Sequence, residues 1–483
     1  MCRLSAAIYS VALLCAITAQ QAVADDLSDW VAQEIQAQEE PASELAMTLW
    51  NLAELGYVEH KSSAALQDTL RAAGFTIDAP VAGLPTAFVA SYGRGGPVIG
   101  ILAEFDALPG LSQQAEPIRI RADHGSAGHA CGHHLFGAGS VSAAIAVARR
   151  LEATGQAGTI KLYGAPAEEG GSGKVYMVRA GLFDGVDAVL HWHPSDRNVS
   201  SAGTTLANKS AKFRFHGVAA HAAVAPHRGR SALDAVEAMN HMANMLREHV
   251  TTDTRIQYVI THGGEAPNVV PDFAEVYYYV RGASGELVES TFARLENAAK
   301  GAALGTGTTV EYEVIHGSHS VLPNLTLSKM MHDHLSYFGG VSYSPSDLEF
   351  ANKLRQTMPA SSLPDMALAH TVQPYSDQIV RIPGSTDVGD VSWGVPTVGL
   401  STATWVPGTV PHTWQAVAAG GTPIGTNGML LAAKAMARST LELLNSPALL
   451  KSAQAEFEER RGPNFTYRPL LGDREPPLDY RAP

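Results

Sequence analysis

Pro97-Val98-Ile99-Gly100-Ile101-Leu102-Ala103, running into Glu104-Phe105-Asp106-Ala107-Leu108-Pro109, sets the architecture of this chain. The first seven residues are almost all apolar, the pattern of a short strand buried on both faces. Open α/β sheets contain such strands, and they build their sites just past the carboxyl ends, where Asp106 falls. Two later segments repeat the arrangement. Thr159 to Tyr163 leads into Ala165-Pro166-Ala167-Glu168-Glu169-Gly170-Gly171, and Asp187 to Leu190 leads into His191-Trp192-His193-Pro194. Three consecutive strands are thus expected to deliver Asp106, Glu168-Glu169 and His191/His193 to one edge of a sheet.

Between the first two strands lies Ala127-Gly128-His129-Ala130-Cys131-Gly132-His133-His134, a glycine-rich bend with a thiol and an imidazole two positions apart. That spacing suits a shared metal site. The other cysteines, Cys2 and Cys15, fall in an export signal, so the mature chain cannot form an internal disulfide. A metal-bound thiolate would explain an unpaired cysteine in an exported protein. A buried, inert thiol beside loop histidines is the alternative. Glu168 and Glu169 are adjacent, so on an extended segment they point to opposite sides, one free to bind metal and the other to hold water. A metal-dependent hydrolase needs that division; a solvated acidic turn does not.

Other residues carry weaker signals. His412 sits among turn residues in Pro407-Gly408-Thr409-Val410-Pro411-His412-Thr413-Trp414, where a structural role is the plain reading. His221, in Gly217-Val218-Ala219-Ala220-His221-Ala222-Ala223, is free to project from a bend of small residues. Asn268 and Arg281 can offer an amide and a guanidinium to a substrate carboxylate, or can be ordinary surface groups. Gly170-Gly171-Ser172-Gly173-Lys174 is no phosphate loop, since Glu168 and Val175 occupy positions that need Gly and Ser/Thr. It contains no nucleophile elbow either. His129, His191, His216 and His227 are given no role, because 19 histidines cannot all be ligands.

Residues 1–24 combine a basic start, an apolar run and a small-x-small end, which predicts a secretory signal cleaved after Ala24. No later run is long enough to span a membrane. A net charge of -13 argues against nucleic acid as a partner. With 483 residues, 45% hydrophobic and 17% charged, the chain has ample core for two domains. The texture changes near Lys209. Strands over Ser210–Phe215, Arg255–Thr261, Ala274–Val280 and Thr308–Val314 and helices over Ser231–Val250 and Leu287–Ala303 make an α+β insert. The expected division is therefore 25–208 with 324–461, an insert at 209–323, and a polar, proline-bearing segment at 462–483 that wraps or frays. Helices are expected over Leu27–Leu55, interrupted at Pro41, and over His60–Ala73, Leu135–Thr154 and Asn427–Leu444, with a strand over Pro396–Ser401.

Glu104-Phe105-Asp106-Ala107-Leu108, His129-Ala130-Cys131-Gly132-His133, Glu168-Glu169-Gly170-Gly171-Ser172-Gly173-Lys174, Trp192-His193-Pro194, Ala219-Ala220-His221-Ala222-Ala223, Asn268-Val269-Val270-Pro271, Ser385-Thr386-Asp387-Val388-Gly389-Asp390-Val391-Ser392-Trp393 and Pro411-His412-Thr413-Trp414-Gln415 together resemble the aminoacylase and glutamate carboxypeptidase type of co-catalytic metallopeptidase. The resemblance runs in order over nearly the whole chain after the signal. It implies an α/β catalytic domain with a twisted mixed sheet and helices on both faces, and an α+β lid of four strands and two helices that also dimerises. It implies two divalent metal ions, manganese or zinc. Cys131 resembles the ligand common to both, His133 and His193 the ligands of one, Glu169 and His412 those of the other, with Asp106 behind them. Glu168 matches the general base, and His221 a lid histidine that reaches a partner subunit's site. Asn268 and Arg281 match lid residues that hold the substrate carboxylate. The expected reaction is hydrolysis of the amide of N-acyl amino acids, aromatic ones such as p-aminobenzoyl-glutamate included. A dipeptidase, or a catalytically silent periplasmic binding protein, would use the same scaffold. A homodimer is expected, with a homologous second subunit as a further partner. Two departures stand out: His134 occupies a position where relatives carry Asn or Asp, and the export signal is unusual.

Overall fold

A computed structural model describes residues 26–481 except His124. The signal expected over 1–24 lies outside the described residues. The strands, in chain order, are β1 Thr76–Asp78, β2 Phe88–Arg94, β3 Val98–Glu104, β4 Gly158–Ala165, β5 Ala188–Ser195, β6 Gly203–Thr204, β7 Ala207–His216, β8 Arg255–His262, β9 Phe273–Gly282, β10 Thr309–Ser318, β11 Val380–Arg381 and β12 Thr397–Ala403.

Six strands form one mixed sheet in the order β1-β2-β4-β3-β5-β12. β4, β3, β5 and β12 run parallel, whereas β2 pairs antiparallel with both β1 and β4. β3 is central and its side chains from Ile99 onward are buried, as its apolar run demands. From β3 the chain crosses to β4 on one side, then returns past it to β5 on the other. The crevice outside the carboxyl ends of such strands is where this topology places a site. β1 has no counterpart in the sequence reading, because three residues alternating exposed and half-buried give no periodic signal.

β5 runs through the histidine segment instead of ending before it. β12 pairs with it from Thr397 opposite Val189 to Ala403 opposite Ser195, so the ladder holds the strand extended to Ser195. Because side chains alternate along a strand, His191 and His193 share one face and Trp192 turns to the other, where it is fully buried.

The helix His133–Thr154 packs against both the sheet and the long helix Pro423–Asn445, and every residue from His133 to Ala148 is buried. Its small residues allow this. At Gly137 a Cβ would stand 2.9 Å from the carbonyl oxygen of Glu104. Any side chain there would push the helix off β3 just where the site begins. Near the start of the described residues a helix over 26–37 breaks at Gln38 and resumes as Glu39–Leu52, not at Pro41. Pro41 lies in the first turn of the second helix, where a missing N–H costs no helical hydrogen bond.

The inserted unit is a separate antiparallel sheet, in the order β10-β7-β9-β8, backed by helices Ala232–Leu246 and Gly285–Thr306. It has its own core, including Phe213, Phe215, Tyr278, Phe292 and Leu295. Its entry and exit are neighbours, since Asn208 pairs with Ser318. β8 is an edge strand and exposes Val259 and Ile260. Among the described residues, no helix is long and apolar enough to cross a membrane. The segment after Arg461 wraps over the molecule. Leu470 joins the core of the insert and the next residue, Leu471, joins the core of the main body.

Candidate metal centre and active site

Four loops meet at the carboxyl ends of β3, β4 and β5. Gly132, at φ 78°, takes the left-handed conformation open to glycine, and its Cα faces Pro194, which would lie 2.6 Å from a Cβ. This tight bend sets Cys131 and His133 on either side of the helix start. Cys131 Sγ lies 3.4 Å from His193 Nε2. Ligand-capable atoms of Cys131, His133 and His193 lie within 4.8 Å of one another, as do those of Cys131, Glu169 and His412. Two triads thus share one thiol, and all five residues named from the sequence come together although they span 131 to 412.

Each histidine of the first triad is held by the ring nitrogen that faces away. His133 donates from Nδ1 to Asp106 Oδ1 at 2.9 Å, and His193 donates from Nδ1 to the Pro194 carbonyl at 2.8 Å. Both therefore turn Nε2 toward the cluster, the nitrogen with which each imidazole would bind metal. Asp106 also accepts from the Glu169 N–H through Oδ2 at 2.9 Å, so one carboxylate orients two of the ligand-bearing loops.

The turn carrying Glu168 and Glu169 is not extended. Ala167 and Ser172 have φ of 55° and 63°, Glu169 has φ -72° and ψ 67°, and Gly170 has φ 89°. The two carboxylates part company through this twist: Glu169 meets Cys131 and His412, while Glu168 falls beside Glu104 and His133. His412, also left-handed at φ 62°, brings Nε2 to 2.9 Å from Glu169 Oε1.

The electrostatics call for cations. Glu104 and Asp387 pair with the Lys174 ammonium and Glu168 lies near it, while Asp106, Glu169 and Cys131 add further acidic groups around the histidines. Burial alone would strip His133 of a second proton, yet Cys131, Asp106 and Glu104 hold its pKa well above the usual value. His133 Nε2 and Glu169 Oε1 are buried without a well-aligned hydrogen bond, despite the short approaches of Glu104 and His412. Buried acids and orphaned donor atoms around a shared thiol fit divalent ions well.

Lys174, Glu104 and Asp387 were missed as a group. Lys174 Nζ lies 2.6 Å from both Glu104 Oε1 and Asp387 Oδ1, and all three side chains are at most 1% exposed. Burial opposes the charge on Lys174, but Asp387, Glu104 and Glu168 outweigh it and raise the pKa. A lysine within the small and apolar run Gly171 to Met177 was a usable sign that a buried counter-charge existed. Lys174→Met should therefore cost about 3–5 kcal/mol of stability, because it strands two buried carboxylates. Denaturant unfolding of the ion-loaded protein checks this; a change below about 1 kcal/mol would show that the triad is not a structural tie.

Cys131, Glu169, His193 and His412, with Glu168, line one wall of a cavity of about 570 Å³, within the range for small-molecule sites. Its other walls include Phe136, Val199, Val321, Ile382, Leu400 and Trp405. His191, given no role from the sequence, also lines it, with burial lowering its pKa to about 4. His134 turns away from the cluster, donating from Nε2 to the Gly420 carbonyl at 3.0 Å and packing its ring 4.9 Å from that of His129. His216 and His227 are exposed on the insert.

The insert's candidates are dispersed. His221 and Asn268 neighbour each other at an exposed tip, where the Ala222 N–H donates to the Asn268 carbonyl, and neither lines the cavity. Arg281 is closer, donating to Ser385 Oγ, a cavity residue, at 3.2 Å.

Residues 207–307 match the peptidase dimerisation domain of the M20 group. Over 451 residues the chain is 42% identical to one of the subunits of the p-aminobenzoyl-glutamate hydrolase of Escherichia coli (strain K12), covering 88% of this chain and 93% of that one. The chain belongs to the M20 metallopeptidase family. It is 30% identical to the Xaa-Arg dipeptidase of Mus musculus over 444 residues, 88% of this chain and 91% of the relative. A dinuclear metal-binding M20 peptidase from Bacillus subtilis has the same fold, with a TM-score of 0.58 and 19% identity over 85% of this chain and 99% of that one. As an M20 member the protein is a hydrolase of amide or peptide bonds, with a mixed α/β body and an antiparallel four-stranded insert.

Proposed function

We propose that the protein is a dinuclear amidohydrolase that releases an amino acid from its N-acyl derivative, aromatic acyl groups included. The observation that carries this reading is the pair of ligand triads sharing Cys131 Sγ, with Glu168 beside them and outside both. Cys131 would bridge two ions, His133 and His193 would complete one set, and Glu169 and His412 the other. Zinc suits the thiol and imidazoles, and manganese the carboxylate. When bound, such a pair polarises water and the amide carbonyl. Glu168 then takes the proton from the attacking water and passes it to the departing nitrogen. The apolar walls of the cavity support a large acyl group. Arg281, at the cavity rim, would hold the free carboxylate, and Asn268, which shares the exposed tip of His221, would do so in the cavity of a partner subunit. The first 24 residues would direct the enzyme to the periplasm or beyond.

His221 lies too far out to serve its own cavity, so we assign it to that of a partner subunit, where its imidazole would donate to the developing oxyanion. His221→Ala should lower kcat by roughly two to three orders of magnitude with metal content unchanged. Mixing that variant with Glu168→Ala subunits should restore activity from two weak parents, since one site of each mixed dimer keeps both residues. No recovery in a mixture shown to exchange subunits would confine His221 to its own chain. A homologous second subunit would be revealed by co-purification at fixed stoichiometry.

A metallo-dipeptidase is the second reading, favoured by the similarity to the mouse Xaa-Arg dipeptidase. Hydrolysis of a panel of acyl-amino acids and dipeptides, with metal measured on the same preparation, decides between them. Turnover of p-aminobenzoyl-glutamate or another aromatic acyl-amino acid well above every dipeptide supports the proposal; the reverse ranking supports the dipeptidase. Metal-loaded protein inert toward both would overturn the two together.

A further inference from the structure

The turn that carries Glu168 and Glu169 does not hold itself. Two of its non-glycine residues, Ala167 and Ser172, sit in the left-handed region, which such residues adopt only where the surroundings enforce it. The enforcement comes from distant side chains. Glu59 Oε1 accepts from the Ala167 N–H at 2.9 Å, Tyr57 donates to the Gly171 carbonyl at 2.6 Å, and Ser172 Oγ meets His316 Nδ1 of β10. The carbonyl of Glu169 is taken by the C-terminal segment: Tyr480 Oη donates to it at 3.2 Å and Arg481 Nη2 at 3.0 Å.

That segment is built to deliver them. Tyr467 donates to Asp390 at 2.8 Å, and Leu470 and Leu471 are buried. Arg179 clasps the Arg474 carbonyl at 2.7 Å, while Arg474 itself reaches the Ile315 carbonyl and Glu313 on β10 at 2.8 and 2.6 Å. The Tyr480 ring then packs edge-on to Tyr57 at 5.6 Å, and Gly56 leaves it room, since a Cβ there would fall against the Tyr480 hydroxyl.

We propose that Tyr480 and Arg481 are positioning residues for this enzyme, fixing the Glu169 peptide so that its carboxylate meets His412 and Cys131 while Glu168 stays apart. The inference rests on the reading of Glu169 as a ligand. Neither residue touches the metal cluster, so their effect should appear first in the affinity of one ion. Tyr480→Phe keeps the ring and removes the hydroxyl; Arg481→Met keeps the length and removes the donor.

Competition with a graded chelator, counting ions per chain, gives the readout. The wild type should hold two ions. The double variant should lose one of them about ten- to a hundredfold more readily, the range for removing a group that orients a ligand. The other ion and the melting temperature of the apoprotein should be unchanged, and Arg481→Lys should recover most of the loss. A double variant that keeps both ions as tightly as the wild type overturns the inference and leaves the dinuclear reading standing. Loss of both ions in step with a lowered apoprotein melting temperature also overturns it, since the segment would then be a general structural tie. A wild type holding fewer than two ions fails the site reading itself, and the inference falls with it.

Discussion

Glu168→Ala should lower kcat by about a hundredfold or more while both ions stay bound, the scale of losing a positioned base. The twist of the turn is what allows this separation. It leaves Glu169 with His412 and sends Glu168 toward Glu104 and His133. Burial raises the Glu168 pKa well above the ordinary carboxyl range, and Glu104, Glu169 and Asp387 push it further. A carboxylate so placed accepts a proton more readily than an exposed one. Glu168 could instead act as a ligand with Glu104 and His133, which its position permits. The variant would then lose an ion along with its activity. Measuring kcat and ions per chain on one preparation of Glu168→Ala and Glu168→Gln separates the two.

Cys131→Ser should release metal and abolish turnover, because a hydroxyl does not ionise where a thiol does. Burial raises the pKa of the unliganded Cys131 well above its usual value; His133 opposes the rise and Glu169 adds to it. The thiol is therefore protonated at neutral pH, and an ion must displace its proton. Metal affinity should then climb with pH, by about tenfold per unit for each proton released. Titration calorimetry in buffers of different ionisation enthalpy counts these protons. The serine variant should release fewer and bind more weakly. A fully active Cys131→Ser enzyme with two ions would return this residue to the role of an inert buried thiol.

The sequence was most informative where local pattern and chemistry coincide. The apolar run of β3 announced a strand buried on both faces, and the glycine-rich bend placed a thiol and an imidazole at a spacing that suits a shared metal site. The strand-end acids and histidines pointed to one sheet edge, which is where they meet. What could not be read depended on pairing across long separations. Lys174 and Asp387 are 213 residues apart, and neither segment alone shows that the other neutralises it. β5 extends through His193 because β12, two hundred residues later, pairs with it. The split between Glu168 and Glu169 was expected from an extended backbone, but it arises from left-handed residues at Ala167 and Gly170 that only tertiary contacts sustain. The C-terminal segment, expected from its polar, proline-bearing composition to wrap or fray, wraps; which it would do was not legible locally, because its order comes from two leucines and a series of single hydrogen bonds.

Those two leucines have a mechanical consequence. Leu470 is seated in one core and Leu471 in the other, and consecutive Cα atoms across a trans peptide are held about 3.8 Å apart. Gly317, near the end of β10, lies so close that a Cβ would stand 2.8 Å from the Leu470 carbonyl carbon and the Leu471 nitrogen. Asn208 pairs with Ser318 one residue farther on. Three passages of the chain between the two bodies are therefore gathered at one place. Pulling one body from the other would have to part all three passages at once. A rotation about that place would instead move the exposed tip of the insert that carries His221 and Asn268.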